Sequence, residues 1–180
     1  RNPNKMNIFI LHLIPTICAK MHCDKHVVKM ILETCQMLCA VWHVADPEYT
    51  VFEPPYKLAH KNHPCTIWTR TSIGNYNWLC QLGLELCKEY THRYGKIHAS
   101  EKHIRELSTK VPPIPDIGFT TPAQAMPDVY KIENPTGPED VVDAYRAYYF
   151  FEKHSMLSWK GKINGRELPE WFKDTCAFFE

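Results

Sequence analysis

The densest run of titratable side chains lies early in the chain, at Lys20-Met21-His22-Cys23-Asp24-Lys25-His26, and continues to Lys29 and Glu33. His22 and His26 are four positions apart, as are Lys25 and Lys29, so on a helix each pair projects from one face. Imidazole, carboxylate and amine together on an otherwise apolar helix supply an acid or base that titrates near neutrality beside a nucleophile. The plain alternative is a solvated face around one buried, satisfied histidine.

A second cluster is Ala59-His60-Lys61-Asn62-His63-Pro64-Cys65. Asn62 and His63 precede an expected helix start, whose free amides favour an anion such as a phosphate. Turn and capping duty is the competing reading. His22, His26, His60 and His63 together offer four imidazoles, which would suit zinc or iron. No HExxH pattern accompanies them, and ten histidines in 180 residues make chance pairs common.

A third region is aromatic and basic, Tyr145-Arg146-Ala147-Tyr148-Tyr149-Phe150-Phe151-Glu152-Lys153, followed by Trp159-Lys160-Gly161-Lys162 and Arg166. Cations take phosphates while aromatic faces stack on exposed bases, so this alternation suits nucleic acid. The expected nucleic-acid contacts are Lys29, Lys61, Arg93, Lys96, Tyr145, Arg146, Lys153 and Lys160. The same aromatics are also good core material.

Holding these groups requires a core, and the chain has one: 44% of its residues are hydrophobic and 12% aromatic. The pattern predicts a mainly α, compact single-domain helical bundle with proline-rich connecting segments and a short N-terminal extended segment. Residues 1–5 read as a cloning remnant or unstructured extension, with Met6 as the start and residues 6–180 as the domain. Met6 to Leu11 suits a brief buried strand. One long helix is expected from Thr16 to about Val44, then a proline-rich loop over 46–64. A second helix from Thr66 or Ser72 should end at Tyr94 with Gly95 as its cap, and a third should run from Ser100 to about Thr109. Prolines between 112 and 138 exclude regular structure there. Thr136 and Glu139 resemble a capping box opening a helix to about Met156, and a last helix is expected over Leu168 to Phe179.

Lys plus Arg at 21 against Asp plus Glu at 20 leaves +1, so a basic binding face must be local. Eight cysteines without a CxxC pair read as reduced core thiols. No stretch approaches an uncharged membrane span and no signal-peptide pattern opens the chain. A soluble cytoplasmic protein acting on DNA or a nucleotide is expected, without a membrane partner and with its oligomeric state open.

In order, these pieces resemble the pyrimidine-dimer DNA glycosylases, small helical base-excision enzymes of phages and bacteria. The apolar start, the helix with Asp24 and Lys25 early on it, and the Lys61-Asn62-His63-Pro64 turn carry the likeness. Asn75-Tyr76 with Leu79, the stretch Glu89 to Tyr94, Pro122-Ala123-Gln124 and Tyr130 extend it. The chain also resembles small proteins of phages and large DNA viruses. The family likeness implies an amine at the chain start that attacks the sugar and a glutamate early in the first helix. Here Asn7 follows Met6, a residue that normally leaves the methionine in place, and Asp24 or Lys25 stands near the expected glutamate.

The leading expectation is therefore a DNA-directed enzyme acting on a base or glycosidic bond. Lys25 or the Met6 amine would be the nucleophile and Asp24 or His22 the acid or base. His26, Asn62 and His63 complete the expected catalytic set. A histidine-metal hydrolase and a non-enzymatic binding module are the alternatives.

Overall fold

The computed structural model describes residues 6–180, so the reading of residues 1–5 lies outside the described residues. Seven α-helices run in order: α1 Pro15–Met21, α2 Asp24–Ala45, α3 Pro64–Thr71, α4 Ile73–Tyr94, α5 Glu101–Ser108, α6 Pro138–Glu152 and α7 Glu170–Phe179. Short 3-10 turns sit at Asp128–Tyr130 and His154–Met156. Among the described residues there is no strand. The mainly α, single-core architecture stands as expected.

The first expected helix is broken in two, and of the two expected starts of the second it is Ser72 that caps α4, with the short α3 before it. The first breaks at His22 and Cys23, whose backbones are extended with ψ of 135° and 160°. A short helix leaves carbonyls unpaired at its end, and a buried end needs donors from elsewhere. Arg93 supplies them, giving its Nη1 to the His22 carbonyl at 2.8 Å and its Nη2 to the Lys20 carbonyl at 3.0 Å. The Trp159 indole takes the Met21 carbonyl at 2.8 Å. The Ser72 hydroxyl accepts from Gly74 and Ile117 amides. Gly74 meets the Gly118 carbonyl carbon so closely that a Cβ would stand 2.4 Å from it. Gly95 caps α4 in the left-handed conformation at φ 68°, as its position predicts. Helix α6 begins beyond Gly137 rather than Thr136, and Thr136 binds Asp140 instead of Glu139.

Helix α4 is the hub, packed against α1, α2, α3 and α5. A buried relay fixes its rotation: Trp42 Nε1 donates to the Tyr76 hydroxyl at 2.9 Å, which donates to the Leu107 carbonyl at 2.8 Å. Helix α2 is long and apolar enough by length and composition to cross a membrane, yet 67% of its apolar window is buried inside this fold. All eight cysteines are free and all but Cys176 are buried.

The segment Met6 to Leu11 is buried and extended but pairs with no strand. Its polar groups find side chains instead. The Asn7 side chain donates its Nδ2 to the Ala125 carbonyl at 2.8 Å, and its Oδ1 accepts from the Tyr145 hydroxyl at 3.0 Å.

Arg93 is fully buried and also bonds Glu89 at 2.9 Å and Asp24 at 3.0 Å. Removing one partner of a buried ionic network strands the others. Arg93→Met is expected to lower unfolding free energy by about 3–5 kcal/mol in urea titration, with the α1–α2 junction exchanging amide hydrogens first.

Candidate functional site

The site begins where the extended segment meets α2. Lys29, Glu33 and Gln36 share a helix face through their spacing, and the main-chain N–H of Asn7 donates to Glu33 Oε1 at 3.2 Å. Lys29 Nζ lies 3.8 Å from Glu33 Oε2. Glu33 is 8% exposed, and burial pushes its carboxyl up to about 7 against the opposing pull of Lys29, the Asn7 amide and Lys153. A carboxyl poised there can give or take a proton near neutral pH.

Glu33 opens onto a cleft of about 470 Å³. Val28 and Leu32 form its apolar wall, while Met6, Lys29, Gln36, His60 and His98 complete the lining. His60 reaches it on a left-handed backbone, φ 52°, a conformation that non-glycine residues adopt sparingly.

Beside this cleft, Phe9 stacks on His26 with ring centroids 4.2 Å apart. His26 Nδ1 bonds the Tyr149 hydroxyl. Burial, reinforced by His22 and the lysines 153, 29 and 25, holds this imidazole down to about 2. Lys153, from the C-terminal end of α6, lies over the rings of Tyr148 at 4.9 Å and Phe9 at 5.6 Å.

The expected residues divide sharply. Lys29 and His60 do converge on one cleft, so the two polar clusters meet in part. His22 does not: it is buried, with Nδ1 on the Cys18 carbonyl at 2.8 Å, and burial lowers its imidazole to about 4. Asp24 is also turned inward, accepting from Arg93 at 3.0 Å, Ser158 at 3.1 Å and the Gly161 amide at 2.9 Å. Lys25 is exposed on the first turn of α2. His63 is the N-cap of α3, accepting from the Cys65 amide at 3.1 Å, and Asn62 is an exposed turn residue. The capping reading of that turn is the one its geometry carries.

The four imidazoles do not form a metal centre. Among the described residues no three His, Cys, Asp or Glu side chains are grouped to hold an ion. His22 and His26 are sunk in the core while His60 is at the surface, so the zinc or iron expectation has no donor set here.

The nucleic-acid contacts divide as well. Arg93 and Tyr145 are fully buried and serve the core. Arg146 gives Nε to the Leu11 carbonyl at 2.9 Å and lies 5.6 Å from the Trp171 ring centre, which ties it to packing. Lys61, Lys96 and Lys160 are exposed on loops and do not line the cleft. Lys29 lines the cleft, and Lys153 lies near enough for its charge to act on the Glu33 carboxyl.

Glu33 is the group that sequence reasoning passed over. Its signal is that α2 carries one carboxylate beyond its first residue, seven positions from His26 on the same stripe. The acidic group that meets the Met6–Leu11 segment is Glu33, whereas Asp24 is tied to Arg93 and Ser158.

A helical domain with a buried carboxyl that meets the extended Met6–Leu11 segment is the class these features define. The family model described as pyrimidine dimer DNA glycosylase matches residues 6–102, more than half of the 180-residue chain. The chain belongs to that family. The matched stretch includes Asn7, Glu33 and His60, whereas Lys153 lies beyond it. No curated protein and no solved structure matches the chain.

The two buried histidines set the acid limb of stability. An unfolded imidazole takes up its proton near 6.5, but in the fold His22 waits until about 4 and His26 until about 2. Their contribution is complete above 6.5 and is lost as pH falls, at up to about 1.4 kcal/mol per pH unit for each proton. Glu33 acts oppositely, its raised carboxyl losing stability as pH climbs from 4.5 to about 7. Urea midpoints should therefore fall steeply below pH 6, and His26→Gln should flatten that slope.

Proposed function

We propose that the chain is a base-excision enzyme that breaks a glycosidic bond in DNA by amine attack, with Glu33 as its acid and base. The supporting observation is the Glu33 carboxyl, pushed up to about 7 and held 3.2 Å from the Asn7 main-chain nitrogen at the edge of a cleft. In its protonated form Glu33 gives its proton to the departing base. In its ionised form it collects the proton that the attacking amine loses.

The cleft suits one extruded nucleotide. Its volume of about 470 Å³ lies within the range of small-ligand sites, and its apolar wall of Val28 and Leu32 can take a base face. Lys29 at the rim is placed for a flanking phosphate, and His60 and His98 for the sugar or base edge. Free thiols throughout the chain suit a reducing compartment, in keeping with cytoplasmic action on DNA.

The nitrogen nearest Glu33 is a peptide amide, joined to Met6, and has no basic lone pair. Either the chain is opened at that bond or a lysine beside the cleft supplies the amine.

Glu33→Gln separates binding from chemistry. On a duplex carrying one pyrimidine dimer, base release should fall by about 10²–10⁴-fold while DNA affinity stays within about threefold. The wild-type rate of base release should decline as pH rises through about 7, where Glu33 loses its proton. Unchanged release by Glu33→Gln removes the proposal.

A further inference from the structure

We propose that a second hollow, between the 158–168 segment and α7, binds a nucleoside 5′-phosphate, free or at the end of a strand, apart from the cleft at Glu33. It encloses about 340 Å³, at the small end of ligand sites, and all its lining residues lie beyond residue 102, where the family match stops. Its ionisable lining is His154, Lys160 and Arg166, with no carboxylate among the lining residues. Leu157, Leu168 and Phe172 give it an apolar wall.

Arg166 is the anchor. Its Nε and Nη2 pair side-on with the two oxygens of Glu89 at 2.7 and 3.1 Å, and Glu89 is held in turn by Arg93 at 2.9 Å. A guanidinium carries five N–H groups, and side-on pairing uses one on Nε and one on Nη2, so the Nη1–Nη2 edge stays open. Among the described residues that edge has no further partner, and the side chain is 30% exposed. A fork already fixed in place gives up little freedom when a second oxyanion takes its other edge.

The segment that carries these cations is fixed although it has no regular structure. The Arg166 N–H donates to the Trp159 carbonyl at 2.7 Å, the Gly161 N–H to Asp24 at 2.9 Å, and the Lys162 and Ile163 N–H groups to the Arg93 carbonyl at 3.0 and 2.8 Å. Gly161 turns at φ 64°, where a Cβ would run into the Asn164 carbonyl oxygen. Lys160, between these anchors, is exposed and makes no ion pair among the described residues. His154 stacks on Phe172 with ring centroids 5.5 Å apart. Two cationic side chains suit a phosphate, and a wall of leucines and rings suits a base better than it suits a bare ion.

Calorimetric titration of the full chain with deoxyadenosine 5′-monophosphate, deoxyadenosine and inorganic phosphate tests the assignment. The monophosphate should bind one to one and each fragment at least about tenfold more weakly, because each meets only part of the lining. Leu168 is 44% exposed, so Leu168→Glu sets a carboxylate in the wall without opening the core and should weaken the monophosphate on the order of a hundredfold. Arg166→Lys keeps a cation for Glu89 but removes the fork, and should cost about tenfold. Lys162→Ala, on the same segment but outside the lining, should change affinity by less than about twofold at fixed salt.

Short oligonucleotides with and without a 5′-phosphate separate the two sources. Tighter binding of the phosphorylated strand, abolished by Leu168→Glu, assigns the hollow to strand ends; monophosphate binding without that preference assigns it to the free nucleotide. Binding that Leu168→Glu leaves unchanged overturns the proposal. So does inorganic phosphate binding as tightly as the monophosphate, or the absence of both monophosphate and end-dependent binding. Base release from a dimer duplex belongs to the Glu33 cleft, so its failure leaves this assignment standing.

Discussion

A backbone segment can be buried only if each of its N–H and C=O groups finds a partner, and Met6 to Leu11 must meet that demand without a neighbouring strand. Single side chains from three helices, α1, α2 and α6, do much of it. Glu33 takes the Asn7 N–H, Cys18 the Phe9 carbonyl, and Arg146 the Leu11 carbonyl. Tyr145, from α6, and Ala125, from the proline-rich stretch, hold the Asn7 side chain. The need to satisfy this segment draws α6 and that stretch onto α2. It also places a carboxyl in a site too dry for it to ionise at its ordinary pH. The site's electrostatics are a by-product of closing the backbone account.

Two carboxylates on α2 show how the same residue class serves opposite ends. Asp24 accepts from a guanidinium, a hydroxyl and an amide, so its lone pairs are engaged by structural donors that join the α1–α2 junction to the Ser158–Gly161 turn. Glu33 has one amide and one lysine at a longer 3.8 Å. Poor solvation with few donors raises a carboxyl toward neutrality, which is what a proton-transfer group needs. Density of polar residues in the sequence pointed to Asp24, while donor count and burial single out Glu33.

The helical periods were legible because apolar spacing and capping residues act locally: Gly95 closes α4 and the prolines between 112 and 138 bar a helix there. The break at His22–Cys23 was not, since it depends on distant partners, Arg93 and Trp159, while at Ser72 the sequence offered the boundary and the Gly118 backbone packs against it. The same limit governed the site. His60 and Lys29 could be named as polar residues in two clusters, and their meeting is visible only in three dimensions. Arg93 and Tyr145 look like ligand-binding residues in one dimension because a buried guanidinium or phenol has the same letter as an exposed one.

The distribution of buried charge also explains why the core and the cleft can differ in chemistry within one small domain. The Arg93, Glu89, Arg166 and Asp24 network pairs its charges closely, with Arg166 at 2.7 Å and Arg93 at 2.9 Å from Glu89. Paired charges hold geometry and leave little to exchange. At the cleft the balance is reversed: Lys29 and Lys153 bear on one carboxyl whose burial raises it toward neutrality. An excess of cations held around a single proton-carrying acid is costly in isolation and is relieved when a phosphate-bearing strand enters. Under the proposed reading these cations would draw a phosphate-bearing strand to that corner, while the closely paired Arg93 network holds its own geometry elsewhere in the domain.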